Sequence, residues 1–98
     1  MVELLLPNHM NHIVSSFGTA IRHLREAQGW SQELLAERAD LNRSYIGELE
    51  RGQAIPSLLT LKKLSIAFGV SLSYLLSHAE RIAQTRTLRG IELTAIAC

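Results

Sequence analysis

Ninety-eight residues, 47% hydrophobic and 19% charged, suit one small domain with short extensions. A single cysteine, Cys98, excludes an internal disulfide and any cysteine-cluster metal centre, which fits a reducing cytoplasm. The net charge of +1 excludes DNA binding driven by bulk electrostatics, so such a partner would have to meet locally placed charges.

Between Phe17 and Ser77 the balance is similarly even, with seven Lys/Arg against six Asp/Glu. No apolar run approaches the length needed to span a bilayer, and Met1 to Leu6 lacks the basic start of a secretory signal. No membrane partner is expected.

Residues 1–16 are weakly patterned and read as an N-terminal extension. From Phe17 a helical rhythm begins, with Phe17, Ala20, Ile21, Leu24 and Ala27 forming an apolar stripe that Gly29 closes. Ser31 then caps a second helix over Gln32 to Ala39, burying Leu35, Ala36 and Ala39. Asp40-Leu41 makes the turn. Asn42 caps a third helix, Arg43 to about Glu50, with Ile46 and Leu49 inward and Gly52 as its end.

Ser57 caps a fourth helix running to Phe68, with Leu58, Leu61, Leu64 and Phe68 turned inward before Gly69. Ser71 opens a short fifth helix carrying Leu72, Leu75 and Leu76. No stretch alternates with period two, so no sheet is expected. The fold expected is all-α, a compact five-helix domain over 17–77 with a helix-turn-helix at 32–51. Residues 78–98 form a C-terminal tail with some helical character (Ile82, Leu88, Ile91, Leu93), either disordered or packed at a subunit interface.

The string Ile21-Arg22, Leu24-Arg25, Gly29-Trp30-Ser31-Gln32, Leu35-Ala36, Tyr45-Ile46, Leu49-Glu50-Arg51-Gly52, Pro56-Ser57, Thr60-Leu61 and Phe68-Gly69-Val70 strongly resembles the Cro/C1-type helix-turn-helix family of bacterial and phage regulators. The likeness covers about residues 17–77. The run Arg43-Ser44-Tyr45-Ile46-Gly47 with Glu50-Arg51-Gly52 also looks like that of restriction–modification controller proteins. The resemblance implies a lambda-repressor-like fold and sequence-specific binding of double-stranded DNA. It also implies that Arg25, late in helix one, pairs with Glu50 near the end of the third helix. One departure is Asp40, where the family commonly has glycine; aspartate tolerates the left-handed geometry such a turn needs.

Residue geometry agrees with that function. With Ile46 and Leu49 buried, a third helix turns Arg43, Ser44, Gly47, Glu48 and Arg51 outward, where a recognition helix would meet the major groove. Arg43 suits bidentate contact to guanine, with a phosphate contact as the alternative. Ser44 can donate to base or phosphate. Glu48 suits a cytosine amino group, the orientation of a neighbouring arginine, or plain solvent. Gly47 allows close backbone approach to DNA or is a tolerated surface residue.

Gln32 lies at a helix start, where free N–H groups favour a phosphate; the resemblance places a DNA contact there, and helix-start chemistry is the alternative. Asn42 caps and lies near the same exposed helix end. Tyr45 either donates to phosphate or half-buries its ring against helix four. The Ser57 to Thr60 turn offers one more helix start to the DNA backbone.

An enzyme is the first competing class. His9, His12, His23 and His78 have no accompanying carboxylate pair or cysteine cluster, so neither metal nor other cofactor is expected, and Ser31 and Ser71 read as caps. The second is an antitoxin-type interaction module, which should carry apolar or acidic residues on the outer face of helix three. A single recognition helix reads only a few base pairs, so a homodimer on a palindromic operator is expected. Its expected interface is helix five and the tail, through Leu72, Leu75, Leu76 and Ile82.

Overall fold

The computed structural model describes the backbone of residues 2–97 and the side chains of residues 12–85. Five helices follow in order: α1 (Val2–Ala27), α2 (Gln32–Ala39), α3 (Arg43–Glu50), α4 (Leu58–Phe68) and α5 (Leu72–Ala97). No strand occurs among the described residues.

The three central helices start where a side-chain oxygen accepts an N–H that the helix cannot satisfy itself. Ser31 Oγ accepts from Leu34 N at 3.1 Å, Asn42 Oδ1 from Ser44 N at 2.7 Å, and Ser57 Oγ from Thr60 N at 3.1 Å. Asp40 ends α2 at φ 54°, ψ 51°, the single non-glycine residue at positive φ among those described. Leu41 N–H then closes back on Ala36 O at 2.9 Å, so the left-handed residue lets the chain reverse into α3.

The core is formed by Phe17, Ile21, Leu35, Ile46, Leu49, Leu64 and Leu75, each at most 4% exposed. α1 packs along α5 and across α3, while α2 lies against α3 and α4. At one edge the rings of Trp30 and Phe68 stack at 5.6 Å, and the Arg38 guanidinium covers Trp30 at 4.7 Å. These contacts hold the α1–α2 loop against the end of α4.

Several expectations change. The boundaries set after residues 16 and 77 both fall inside helices, because α1 and α5 are long and pair with each other. Val14 extends the apolar stripe of α1 backwards from Phe17, and Ser16 is fully buried, so no break occurs at Phe17. His78 lies within α5 instead of after it. Ala27 and Leu58 are exposed, Leu58 at 72%, because each falls on the solvent side of its helix. Leu75 is fully buried in the protein's own core and cannot line a dimer interface. Leu88, Ile91, Leu93, His9 and Cys98 lie outside the residues whose side chains are described.

Candidate nucleic-acid interface

α3 is oriented by its buried side. Ile46 and Leu49 are fully enclosed, so Arg43, Ser44, Glu48 and Arg51 stand on the solvent side of the same two turns. Behind this helix, α1 approaches closely. A Cβ on Gly18 would overlap Leu49 O and lie 2.8 Å from Glu50 O, so only glycine admits the two backbones at this spacing. Gly52, at φ 72°, passes close to Ser15 on the same helix.

Arg25 and Glu50 lock that crossing. Arg25 Nε donates to Glu50 Oε2 at 2.7 Å and Nη2 to Oε1 at 3.0 Å, a two-pronged pair with side chains only 12% and 4% exposed. Arg25 Nη1 also donates to the Trp30 carbonyl at 2.9 Å. The hydrogen bond to Glu50 holds the guanidinium more firmly protonated, against the opposing pull of burial.

Gln32 joins this network, its Nε2 donating to Glu50 Oε1 at 3.0 Å. One N–H of the Gln32 amide is thereby committed inside the protein, while its residue is half-buried at the start of α2. Asn42 faces solvent with its Oδ1 taken by the Ser44 N–H, and Ser44 itself is exposed. Tyr45 takes the half-buried alternative: its hydroxyl lies 3.2 Å from Thr60 Oγ1, which accepts from Ser57 Oγ at 3.0 Å. That chain of hydroxyls ties α3 to the start of α4.

The two outward arginines are each held at Nε. Arg43 Nε donates to Glu33 Oε1 on α2 at 2.9 Å, with side chains 58% and 65% exposed. Arg51 Nε donates to Gln53 Oε1 at 3.0 Å. The Arg43 hydrogen bond is also the largest influence lowering the Glu33 carboxyl below its ordinary range.

Gly47 lies on the same side of α3 as Arg51 but is covered, because the Arg51 side chain folds back over it and Arg51 Nη1 lies 3.0 Å from where a Cβ would sit. The missing side chain makes a seat for the guanidinium.

The face so assembled presents Asn42, Arg43, Ser44, Glu48 and Arg51 from α3 with Glu33 beside them, and Gln32 set behind. Glu33, Gln53 and Gly18 were not singled out from the sequence. The first two show only once α2, α3 and the following turn are in place, and Gly18 only once α1 crosses α3. Among the described residues, no three His, Cys, Asp or Glu side chains converge as a metal site would need, and no single helix is long and apolar enough to cross a membrane.

The family described as Helix-turn-helix matches residues 21–75. The control protein C.MunI of a Mycoplasma species is 40% identical over 73 residues, which cover 74% of this chain and 99% of that protein. The SPbeta prophage-derived uncharacterized HTH-type transcriptional regulator YonR of Bacillus subtilis is 39% identical over 66 residues, covering 65% and 61% of the two chains. Among solved structures, the restriction-modification controller protein C.AhdI of Aeromonas hydrophila superposes with a TM-score of 0.62 at 44% identity, over 63% of this chain and 94% of that one.

Proposed function

We propose, since this chain belongs to the helix-turn-helix family, that it is a sequence-specific DNA-binding regulator of transcription working as a homodimer in the cytoplasm. α3 enters the major groove with its solvent side. The observation that carries this reading is the exposure of Arg43, Ser44, Glu48 and Arg51 around a buried Ile46–Leu49 seam. Hydrogen-bonding side chains on a rigid helix suit the donor and acceptor pattern of base edges. Asn42 and the remaining N–H of Gln32 supply backbone contacts, which fix register. The chemistry is recognition, without catalysis or cofactor.

The likeness to C.MunI and C.AhdI supports a control protein as the kind of regulator. Two half-sites read by two copies account for the short contact each α3 can make. Leu59, Ile66 and Leu76, exposed at 65%, 67% and 40%, give a second copy apolar surface to cover, in place of the buried Leu75.

A gel shift on the DNA upstream of the protein's own gene, repeated across a salt series, tests the reading. Affinity should fall steeply with salt, because phosphates bound by the protein release counterions. No shifted species, or one indifferent to salt, contradicts it.

A further inference from the structure

We propose that Glu33 sets specificity through Arg43: by occupying Nε it turns the terminal edge of the guanidinium outward and balances its charge, so that a base edge is preferred to a phosphate. The inference rests on reading α3 as the recognition helix and adds to it a residue from the neighbouring helix.

The atom involved decides the geometry. A guanidinium carries five N–H donors in a fixed fork, and a bond at Nε leaves the Nη1 and Nη2 pair free to face forward. That pair matches O6 and N7 of guanine. Arg43 bonds Glu33 through Nε at 2.9 Å, and both side chains remain more than half exposed, so the terminal edge is accessible to DNA. Arg51, at the opposite end of α3, is likewise held at Nε, by Gln53 at 3.0 Å, but its guanidinium is seated over Gly47. The two acceptors differ in charge, a carboxylate at Arg43 and a neutral amide at Arg51.

A phosphate is attracted chiefly by charge, whereas a base edge rewards aligned hydrogen bonds. An ionised Glu33 beside Arg43 leaves little net charge for a phosphate. Its low carboxyl pKa, caused first by the Arg43 hydrogen bond, keeps it ionised at neutral pH. Arg43 thereby adds less to the binding of DNA in general and keeps its fit to the right base. Arg51, held by a neutral amide, retains full charge and suits a phosphate.

The test uses the full chain with Glu33→Gln, Glu33→Asp, Arg43→Ala and the double variant Glu33→Gln/Arg43→Ala. The probes are the duplex that the parent protein selects from a random-sequence pool and an unrelated duplex of equal length, each titrated across salt. Glu33→Gln should tighten binding to the unrelated duplex about fivefold, steepen its salt dependence by about one phosphate equivalent, and lower the selected-to-unrelated ratio about tenfold. Glu33→Asp, which keeps the charge on a shorter arm, should restore part of that ratio. In the Arg43→Ala background the same Gln substitution should leave that ratio unchanged, since the lost charge then acts on both duplexes alike.

A ratio and salt slope equal to the parent's in Glu33→Gln would overturn the proposal, as would an equal fall in the ratio with Arg43 absent. A purely structural role for Glu33 at the start of α2 would move only the melting temperature. A parent that selects no duplex sinks the regulator reading itself and this inference with it; a parent that selects one while Glu33→Gln leaves the ratio unchanged sinks the inference alone.

Discussion

Arg25 on α1 grips Glu50 on α3 through two hydrogen bonds, at 2.7 and 3.0 Å, inside a pocket that leaves the carboxylate side chain only 4% exposed. Gln32 adds a third donor from α2, so three helices share one acceptor. Arg25→Ala would strand a carboxylate that is almost out of water. A loss of about 3–5 kcal/mol follows, or a fall in melting temperature of at least about 10 °C for a domain of this size. Thermal unfolding by circular dichroism checks this; a melting temperature equal to the parent's would deny the pair its structural role.

Two glycines on adjoining helices should respond to alanine in opposite directions. At Gly18 the new methyl meets backbone, Leu49 O and Glu50 O, which cannot yield unless α3 moves. The clash outweighs the gain in helix propensity, so Gly18→Ala should lose about 1–3 kcal/mol. At Gly47 the methyl meets only the mobile end of Arg51 at 3.0 Å. Gly47→Ala should therefore gain about 0.5–1 kcal/mol, while displacing Arg51 and weakening DNA binding. Urea unfolding of both variants decides the signs.

Asp40 holds a left-handed backbone that glycine adopts without strain. Asp40→Gly should stabilise the protein by about 0.5 kcal/mol, after allowing for the freer unfolded chain. The Lys63 Nζ bond to the Asp40 carbonyl, 3.0 Å, survives the change. The 3.6 Å contact to its carboxylate is lost, but that side chain is 97% exposed and such a pair is worth little. Asp40→Ala, which keeps the strain and loses the polar side chain, should instead destabilise. Matched denaturation curves separate the two.

These residues also show what a sequence can disclose. α2, α3 and α4 were legible because their limits are set locally, by Ser31, Asn42 and Ser57 at one end and Asp40, Gly52 and Gly69 at the other. The lengths of α1 and α5 were not, since the two helices pack on each other and carry no local signal at Phe17 or Ser77. Arg25 with Glu50 was reached through family likeness, because twenty-five residues separate the partners. The outer side of α3 followed from the Ile46 and Leu49 spacing. Glu33 on Arg43, and Arg51 over Gly47, depend on how neighbouring segments cross, which periodicity does not encode.

Acid should weaken the α1–α5 contact at His78. Its ring lies 6.3 Å from that of His23 on α1 and 6.3 Å from Tyr74, with Arg81 beside it. Burial, then Arg81 and His23, lower its pKa below the ordinary 6.5. The folded state thus disfavours the charged ring. This contribution is complete above about pH 6.5 and is lost as pH falls through the lower folded value. Melting temperature should decline modestly over that window, and His78→Gln should flatten the decline. An unchanged slope in the variant would assign it to other groups.

The central claim, that the exposed side of α3 reads DNA sequence, is tested most directly by Arg43→Ala on the duplex the parent selects from a random pool. Losing one base-reading arginine should weaken that binding by about tenfold or more per half-site, with the melting temperature held within about 2 °C because the side chain is exposed. A binding isotherm superimposable on the parent's would contradict the account.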